Sequence, residues 1–230
     1  MIVFAEGRFK AELAVSSGNC SSGHRERLIN PGQDRIVRVN DNTSQSRQVA
    51  QVDLDAVATQ LGREPRGVLE ISYRSPDGQP GVVKTAPKLD DGTPFPTLYY
   101  LTDQRLTAEA SRLESKGVMR QMSDRLTKDK DLAADYQMAH ERYLEKRNAI
   151  EDLGTDFSGG GMPERVKCLH VLIAYALAEG PGVIRLGDES VALAADGDSN
   201  LRGTAIPQDW PTAADLGIDA DANDLNAAGE

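Results

Sequence analysis

The order of strand-forming and helix-forming segments is the feature that most constrains the fold of this chain. Three short segments between residues 68 and 102 have the composition of β-strands and are separated by turn-forming residues. From residue 107 onward, apolar side chains recur at helical spacing. Strands grouped together and followed by a run of helices are typical of α+β domains. The sequence therefore predicts an α+β fold, in which a small antiparallel sheet of about three strands packs against a layer of helices.

The strand segments are bounded by residues that favour turns. Residues 68–74 and 82–86 are rich in aliphatic side chains, and the loop between them, residues 75–81, holds two prolines and two glycines. Two such runs joined by a turn-forming loop predict a β-hairpin. Residues 95–102 predict a third strand, with Pro96 at its start or on an edge because proline cannot donate to a strand ladder.

Helical periodicity predicts helices on both sides of the strand region. Four segments share it: residues 53–61, 107–116, 118–127 and 131–153. The last of these is amphipathic. Arg147 and Glu151 lie on its polar face at i,i+4 spacing, which predicts a solvent-exposed face with weak ion pairs.

The segment from residue 158 to residue 189 joins a glycine run to a predicted helix. Three glycines at residues 159–161 precede Met162, Pro163 and Glu164. Proline is favoured at the first helical position because the N–H that it lacks would be unpaired there, and Glu164 complements the helix dipole. This pattern predicts a helix from Pro163 to about Ala178.

Several residues of this segment suggest an anion-binding site. Glycines allow close approach of the backbone, a helix N-terminus attracts negative charge, and two cations follow in the first turns. The candidate ligand-binding residues are Gly160, Gly161, Arg165, Lys167, Tyr99, Tyr100 and Asp188. The predicted ligand is a small molecule with a phosphate or carboxylate group.

His170 is the candidate catalytic residue, and it has two interpretations. It borders the apolar stripe of the predicted helix, which is typical of a hydrogen-bonded core histidine. It also shares a helix face with Lys167, three residues earlier, from which it could act as an acid or base on a bound anion. The sequence leaves both interpretations open.

Motifs for other chemistries are absent from the sequence. It has no H-E-x-x-H, C-x-x-C or G-x-S-x-G pattern, and the glycine run lacks the spacing of a P-loop. Because three histidines and two cysteines are spread along the chain, no metal site and no cofactor are predicted. The net charge is −10 and there is no basic stripe, which argues against nucleic-acid binding.

The two ends of the chain differ in composition from the middle. Residues 1–50 are rich in Ser, Asn, Gly and Gln, which predicts a disordered extension; alternatively, native translation starts later, near Val49 or Val52. Residues 196–230 contain eight acidic residues and one arginine and are predicted to form an acidic tail. Trp210 in this tail packs onto the domain or, as a second interpretation, binds a partner.

The predicted domain therefore spans residues 51–195. No apolar run reaches the roughly 18 residues that a membrane-spanning helix needs. The first apolar residues are not preceded by a basic segment, so a signal peptide is not predicted. Together these observations predict a cytoplasmic protein without membrane insertion.

Two motifs resemble those of a known family. The first is Asp-Gly-Thr-Pro-Phe-Pro-Thr-Leu-Tyr-Tyr-Leu-Thr at residues 91–102, and the second is Gly-Gly-Met-Pro-Glu-Arg-Val-Lys-Cys-Leu-His at residues 160–170, followed by Gly-Pro-Gly and Leu-Gly-Asp. Over about residues 53–195 the chain resembles an actinobacterial family catalogued as domain of unknown function 501. The resemblance implies a domain and no particular reaction. Members are often encoded near enolase, a septum-formation protein and an exopolyphosphatase, which implies a housekeeping or envelope-linked role.

The resemblance also implies a metal site that this chain has lost. Many members carry Cys-Pro-Cys-Gly in the hairpin turn and a further cysteine after the third strand, where this sequence has Ser-Pro-Asp-Gly at residues 75–78 and Asp103. Cys168 is then the remnant of that site, and the hairpin turn, the third strand and the Cys168 helix are expected to lie close together. Either Asp77 or Asp103 still supplies an oxygen ligand, or ordinary turn interactions replace the metal, which is the simpler account.

Two hypotheses for the function follow. In the first, the chain is a non-catalytic binding or regulatory protein with an unknown protein partner, linked to cell division or envelope growth. In the second, it is an enzyme or sensor for a small phosphorylated ligand held at residues 159–170. A concave pocket lined by Lys167 and His170 beside Tyr99 and Tyr100 would favour the second.

Overall fold

The computed structural model describes residues 49–218 of the chain. The predictions for residues 1–48 and for the acidic residues from 219 onward lie outside this range. The helices and strands follow the order α1 (Gln51–Leu61), β1 (Val68–Arg74), β2 (Pro80–Thr85), β3 (Tyr99–Leu101), α2 (Gln104–Ser115), α3 (Val118–Lys128), α4 (Lys130–Asn148), α5 (Leu169–Glu179) and α6 (Arg185–Gly197). A short 3-10 helix, Ser199–Leu201, follows α6. Grouped strands followed by helices confirm the predicted α+β fold.

The sheet is antiparallel throughout, in the order β1-β2-β3. Val83 in the central strand pairs with Ile71 of β1 and with Tyr100 of β3. The turn between β1 and β2 is closed by a hydrogen bond of 2.8 Å from the Gly78 N–H to the Ser75 carbonyl. These contacts confirm the predicted hairpin and the third strand.

β3 is shorter than the strand predicted for residues 95–102. The Phe95 N–H donates to the Pro87 carbonyl at 2.6 Å, away from β2. Pro96 has no N–H to contribute to the ladder. Pairing with β2 therefore begins only at Tyr99.

The central element of the core is α5. It packs against β3, α2 and α6, and most of its side chains are buried, as expected for a helix that is apolar all round. Tyr175 of α5 lies between Tyr99 of β3 and Tyr143 of α4, with ring centroids 5.7 Å and 5.2 Å away. The Tyr143 hydroxyl accepts the Leu98 N–H at 2.6 Å, and the Tyr175 hydroxyl donates to the Ala139 carbonyl at 3.0 Å. These aromatic contacts join the sheet, α4 and α5.

The prediction that α5 begins at Pro163 is wrong, because the helix begins at Leu169. Gly160 and Gly161 have φ angles of +72° and +89°, which turn the chain back on itself. The Lys167 N–H donates to the Gly160 carbonyl at 2.7 Å, and the Val166 N–H donates to the Ser123 hydroxyl at 3.0 Å. These N–H groups are therefore not available for helical hydrogen bonds, and residues 160–168 form a closed turn ahead of α5.

The prediction of a solvent-exposed Arg147 is also wrong. Its side chain is fully buried, and its guanidinium donates to the carbonyl of Phe157 and, at 2.7 Å, to that of Thr155. Glu151 pairs instead with Lys88 at 2.5 Å. Arg147 binds the chain that follows α4, and α4 ends at Asn148, five residues before the predicted end.

The packed part of the chain continues beyond residue 195, the predicted end of the domain. Leu201, Ile206 and Trp210 are buried in the core. Arg202 donates to the Trp210 carbonyl at 2.6 Å. The first interpretation of Trp210, packing onto the domain, is therefore confirmed.

Within residues 49–218, none of the helices combines the length and the apolar character that crossing a membrane requires.

Candidate functional site

A cleft of about 410 Å³ lies beside the start of α5. Its walls come from the end of α1, from β3, from the start of α2 and from the first residues of α5. The residues that define its chemistry are Tyr99, Tyr100, Thr107, Cys168, His170 and Val171. Among the described residues that line the cleft there is no aspartate, glutamate, lysine or arginine. Cys168 and His170 are the lining residues contributed by the start of α5 together with Val171.

His170 is part of a polar cluster at the α5 end of the cleft. Its Nδ1 atom lies 3.1 Å from the Glu114 Oε1 atom and 3.8 Å from the Cys168 sulfur. Its Nε2 atom lies 3.4 Å from the Ser111 hydroxyl. Ser111 and Glu114 come from the last turns of α2, so the cluster joins α2 to the start of α5.

Glu114 also caps the N-terminus of α5. The Leu169 N–H donates to its Oε1 atom at 2.7 Å, whereas Cys168, at the N-cap position, makes no capping hydrogen bond through its side chain. A helix N-terminus favours a negative charge because its first N–H groups are unpaired and its dipole is positive there. The Glu114 carboxylate therefore occupies the position at the N-terminus of α5 that a bound anion would take.

The partners of His170 change its protonation. The adjacent Cys168 side chain and, after it, Glu114 raise the pKa of His170 to about 9, against an opposing effect of partial burial. The imidazole of His170 is therefore protonated at neutral pH. A general base is most effective with a pKa near the working pH, so this state does not favour a role for His170 as a base.

The structure brings together four of the residues predicted from the sequence. His170, Cys168, Tyr99 and Tyr100 all line the cleft. Tyr99 is almost fully buried, and its hydroxyl donates to Glu179, whereas Tyr100 is only partly buried.

The glycines and the two cations of the predicted anion site lie elsewhere. Gly160 packs against the Val171 side chain, and Gly161 lies within the closed turn before α5. The side chains of Arg165 and Lys167 are exposed, and neither residue lines the cleft. The concave pocket expected to distinguish the two hypotheses thus contains His170 but not Lys167.

Asp188 also lies away from the cleft, on α6. It is 3% exposed, and its Oδ2 atom accepts the Gly182 N–H at 2.8 Å. Its Oδ1 atom has no hydrogen-bond partner among the described residues. Burial and, to a smaller extent, the neighbouring Glu189 raise the pKa of Asp188 from 3.8 to about 6.

We expect Asp188 to make the stability of the protein depend on pH. A raised pKa means that the folded state holds the proton more tightly, so its contribution is complete below pH 3.8 and is lost as the pH rises through about 6. Relative to Asp188→Asn, the wild type should lose about 2 kcal/mol of unfolding free energy between pH 4 and pH 7. Urea unfolding of both proteins across this range measures the difference. A difference that stays constant with pH would contradict the expectation.

The place where the resemblance implies a lost metal site holds an arginine. Asp103 caps α2 and accepts the Arg105 guanidinium at 2.6 Å, and the same guanidinium reaches Asp77 at 2.7 Å. The Ser75 hydroxyl donates to Asp103 at 3.2 Å. Arg105 thus supplies the positive charge between the two carboxylates, in keeping with the replacement of a metal by turn interactions. Cys168 lies instead beside His170 and Glu114.

Sequence reasoning did not find Glu114 and Ser111. They occupy i and i+3 positions on one face of α2, a spacing that most polar helix surfaces contain. Glu114 and His170 are 56 residues apart, and only the packing of α2 against α5 brings them together. The sequence therefore contained no signal for this part of the cluster.

The fold and the site define an α+β protein with a carboxylate–imidazole–thiol cluster at one end of an otherwise uncharged cleft. Residues 71–192 match the model of the family described as Protein of unknown function (DUF501). This range covers more than half of the chain and includes Glu114, Cys168 and His170, and the chain belongs to that family. The resemblance seen in the sequence is thereby confirmed. Searches of curated proteins and of solved structures find no match.

Proposed function

We propose that the protein is a non-catalytic domain that binds a small, uncharged organic molecule in the cleft beside His170. The observation that carries the proposal is the cleft itself. It has about 410 Å³ of space, and its walls combine aromatic and aliphatic side chains with the uncharged polar side chains of glutamine and threonine, beside Cys168 and His170. This combination is typical of small-molecule sites, in which apolar walls bury the ligand and a few polar groups orient it.

The arrangement around His170 supports binding rather than nucleophilic catalysis. In a cysteine–histidine–acid triad, one ring nitrogen serves the thiol and the other serves the acid. Here the thiol and the carboxylate both face Nδ1, and Nε2 faces a serine hydroxyl. The imidazole therefore does not connect Glu114 to Cys168 as a proton relay.

The alternative, an enzyme or sensor for a phosphorylated ligand at residues 159–170, has less support. Arg165 and Lys167 are exposed and lie outside the cleft, and Glu114 occupies the N-terminus of α5. Four further statements stay predictions: an actinobacterial origin, a cytoplasmic location, an unknown protein partner, and a link to cell division or envelope growth.

A thermal-shift screen with two panels tests the proposal. One panel contains uncharged aromatic and hydroxylated metabolites, and the other contains phosphorylated metabolites. A ligand at about 100 times its Kd stabilises a protein by about 2.7 kcal/mol, a Tm rise of about 5 to 10 °C at this size. We expect such a rise from the uncharged panel, in the wild type and in Lys167→Ala alike.

Tyr100→Ala, which removes a wall of the cleft, should lose the response while circular dichroism confirms its fold. Lys167→Ala is the matched control, because Lys167 is exposed and does not line the cleft. Hits that come only from the phosphorylated panel and disappear in Lys167→Ala would overturn the proposal in favour of the alternative.

A further inference from the structure

Three different donor groups converge at the end of the cleft. Glu114 supplies a carboxylate oxygen, Cys168 a sulfur and His170 a ring nitrogen, and these atoms all lie within 4.8 Å of one another. All three residues are partly buried. Two come from the start of α5 and one from the last turns of α2, so helix packing holds the three groups together.

The two distances from the His170 Nδ1 atom to the other donor atoms are within about 0.3 Å of those around a tetrahedral metal ion. Zinc binds sulfur at about 2.3 Å and nitrogen or oxygen at about 2.0 to 2.2 Å, which places neighbouring ligand atoms about 3.3 to 3.6 Å apart. Here the sulfur lies 3.8 Å and the carboxylate oxygen 3.1 Å from the same nitrogen, Nδ1. Small movements of these side chains are enough to reach the ideal separations.

The surroundings of the three groups also fit a metal site. A histidine that binds a metal through one ring nitrogen usually donates its other N–H to a nearby acceptor, which orients the ring. The Ser111 hydroxyl lies 3.4 Å from Nε2 and can accept this N–H. Because a carboxylate oxygen has two lone pairs, Glu114 Oε1 can bind a cation while it accepts the Leu169 N–H.

We propose that Glu114, Cys168 and His170 bind one divalent transition-metal ion, with zinc as the best-suited ion. A thiolate and an imidazole select zinc over magnesium or calcium, which prefer oxygen ligands. Binding displaces the proton of the Cys168 thiol and the proton on Nδ1 of His170, and both are released to solvent. The thiolate and the carboxylate then balance the two positive charges of the ion.

Three protein ligands leave one position of a tetrahedral zinc ion open. Since Cys168 and His170 line the cleft, this position is expected to face it and to accept an oxygen or nitrogen atom of a molecule bound there. The metal site is independent of the proposed organic ligand, because it can be tested without any ligand in the cleft.

Titration of the metal-free full chain with Co(II) and with Zn(II) tests the site. We expect one ion per chain and, for Co(II), the near-ultraviolet charge-transfer absorption of a thiolate–cobalt bond. Cys168→Ser should abolish this absorption. It should also weaken zinc binding by more than about 100-fold, since even the loss of an outer partner costs about 10- to 100-fold.

Two further variants make the test specific. Glu114→Gln keeps an oxygen that can accept the Leu169 N–H but loses the charge, so it should fold and bind zinc more weakly. Cys20→Ser changes the other cysteine of the sequence and should bind like the wild type. Any one of three results would overturn the proposal. The wild type does not bind the metal, cobalt binds without the thiolate absorption, or Cys168→Ser binds zinc with unchanged affinity.

Discussion

Gly187→Ala is expected to lower the free energy of unfolding by about 2 to 3 kcal/mol. A methyl group at this position would lie 2.7 Å from the Leu172 carbonyl oxygen, 2.7 Å from a methyl group of Ile184 and 2.9 Å from the Ala176 Cβ atom. Leu172 and Ala176 belong to α5, so the added group would push α5 and α6 apart. Inserting a methyl group into a packed core typically costs about 1 to 3 kcal/mol.

The direction of the expected change in unfolding free energy makes the Gly187→Ala prediction specific. In a helix without close neighbours, alanine is more favourable than glycine by about 1 kcal/mol. Gly62→Ala is the comparison, because Gly62 ends α1 with a φ of +66° and has no atom within 4 Å of an added Cβ. It should cost only the roughly 1 kcal/mol of the left-handed backbone. If Gly187→Ala proved more stable than wild type in urea unfolding, α5 and α6 would not be in close contact at this position.

Arg125→Met is expected to cost up to about 3 kcal/mol, less than the loss of the sole partner of a buried charge, because Arg185 also contacts Glu189. The Glu189 side chain is 0% exposed and accepts two hydrogen bonds from Arg125, at 2.6 and 2.9 Å. Arg185, at 3.4 Å, is the more distant of its two cations. Removing Arg125 would therefore leave the buried Glu189 carboxylate with Arg185 as its remaining cation among the described residues. Chemical denaturation monitored by circular dichroism measures the loss.

Two controls separate the cost of the unpaired charge from other effects. Arg66→Met breaks an ion pair with Asp91 in which the side chains are 57% and 54% exposed, and such pairs contribute at most about 1 kcal/mol. The double variant Arg125→Met/Glu189→Met removes both charges and should recover most of the lost stability, because apolar replacements of buried ion pairs are often neutral. A single variant that costs no more than Arg66→Met would contradict the expectation.

The part of the fold that depends on local spacing was predictable. Apolar residues at helical spacing identified α1 to α4, and the loop rich in proline and glycine identified the hairpin. Gly62 ends α1 in the left-handed conformation, which glycine adopts readily at the end of a helix. In each case the residues that decide the structure are neighbours in sequence.

The start of α5 shows where local signals mislead. Pro163 and Glu164 are a favourable helix start by composition. In the folded chain the same segment is used to close a turn, because its N–H groups bind Ser123 of α3 and the Gly160 carbonyl. The prediction for Arg147 was wrong for the same reason. Its guanidinium donates hydrogen bonds to carbonyl groups of a loop, and the sequence pattern does not indicate where that loop lies.

The sequence by itself determined the α+β class, the hairpin and the family, and it directed attention to the segment that carries Cys168 and His170. It predicted an anion site there because glycines, cations and an apparent helix start follow one another along the chain. Only the tertiary structure placed Glu114 at the true N-terminus of α5 and beside the histidine and the thiol. The reason is that helix packing brings together side chains that are far apart in the sequence. Periodicity along the chain reports only on residues that are close in sequence.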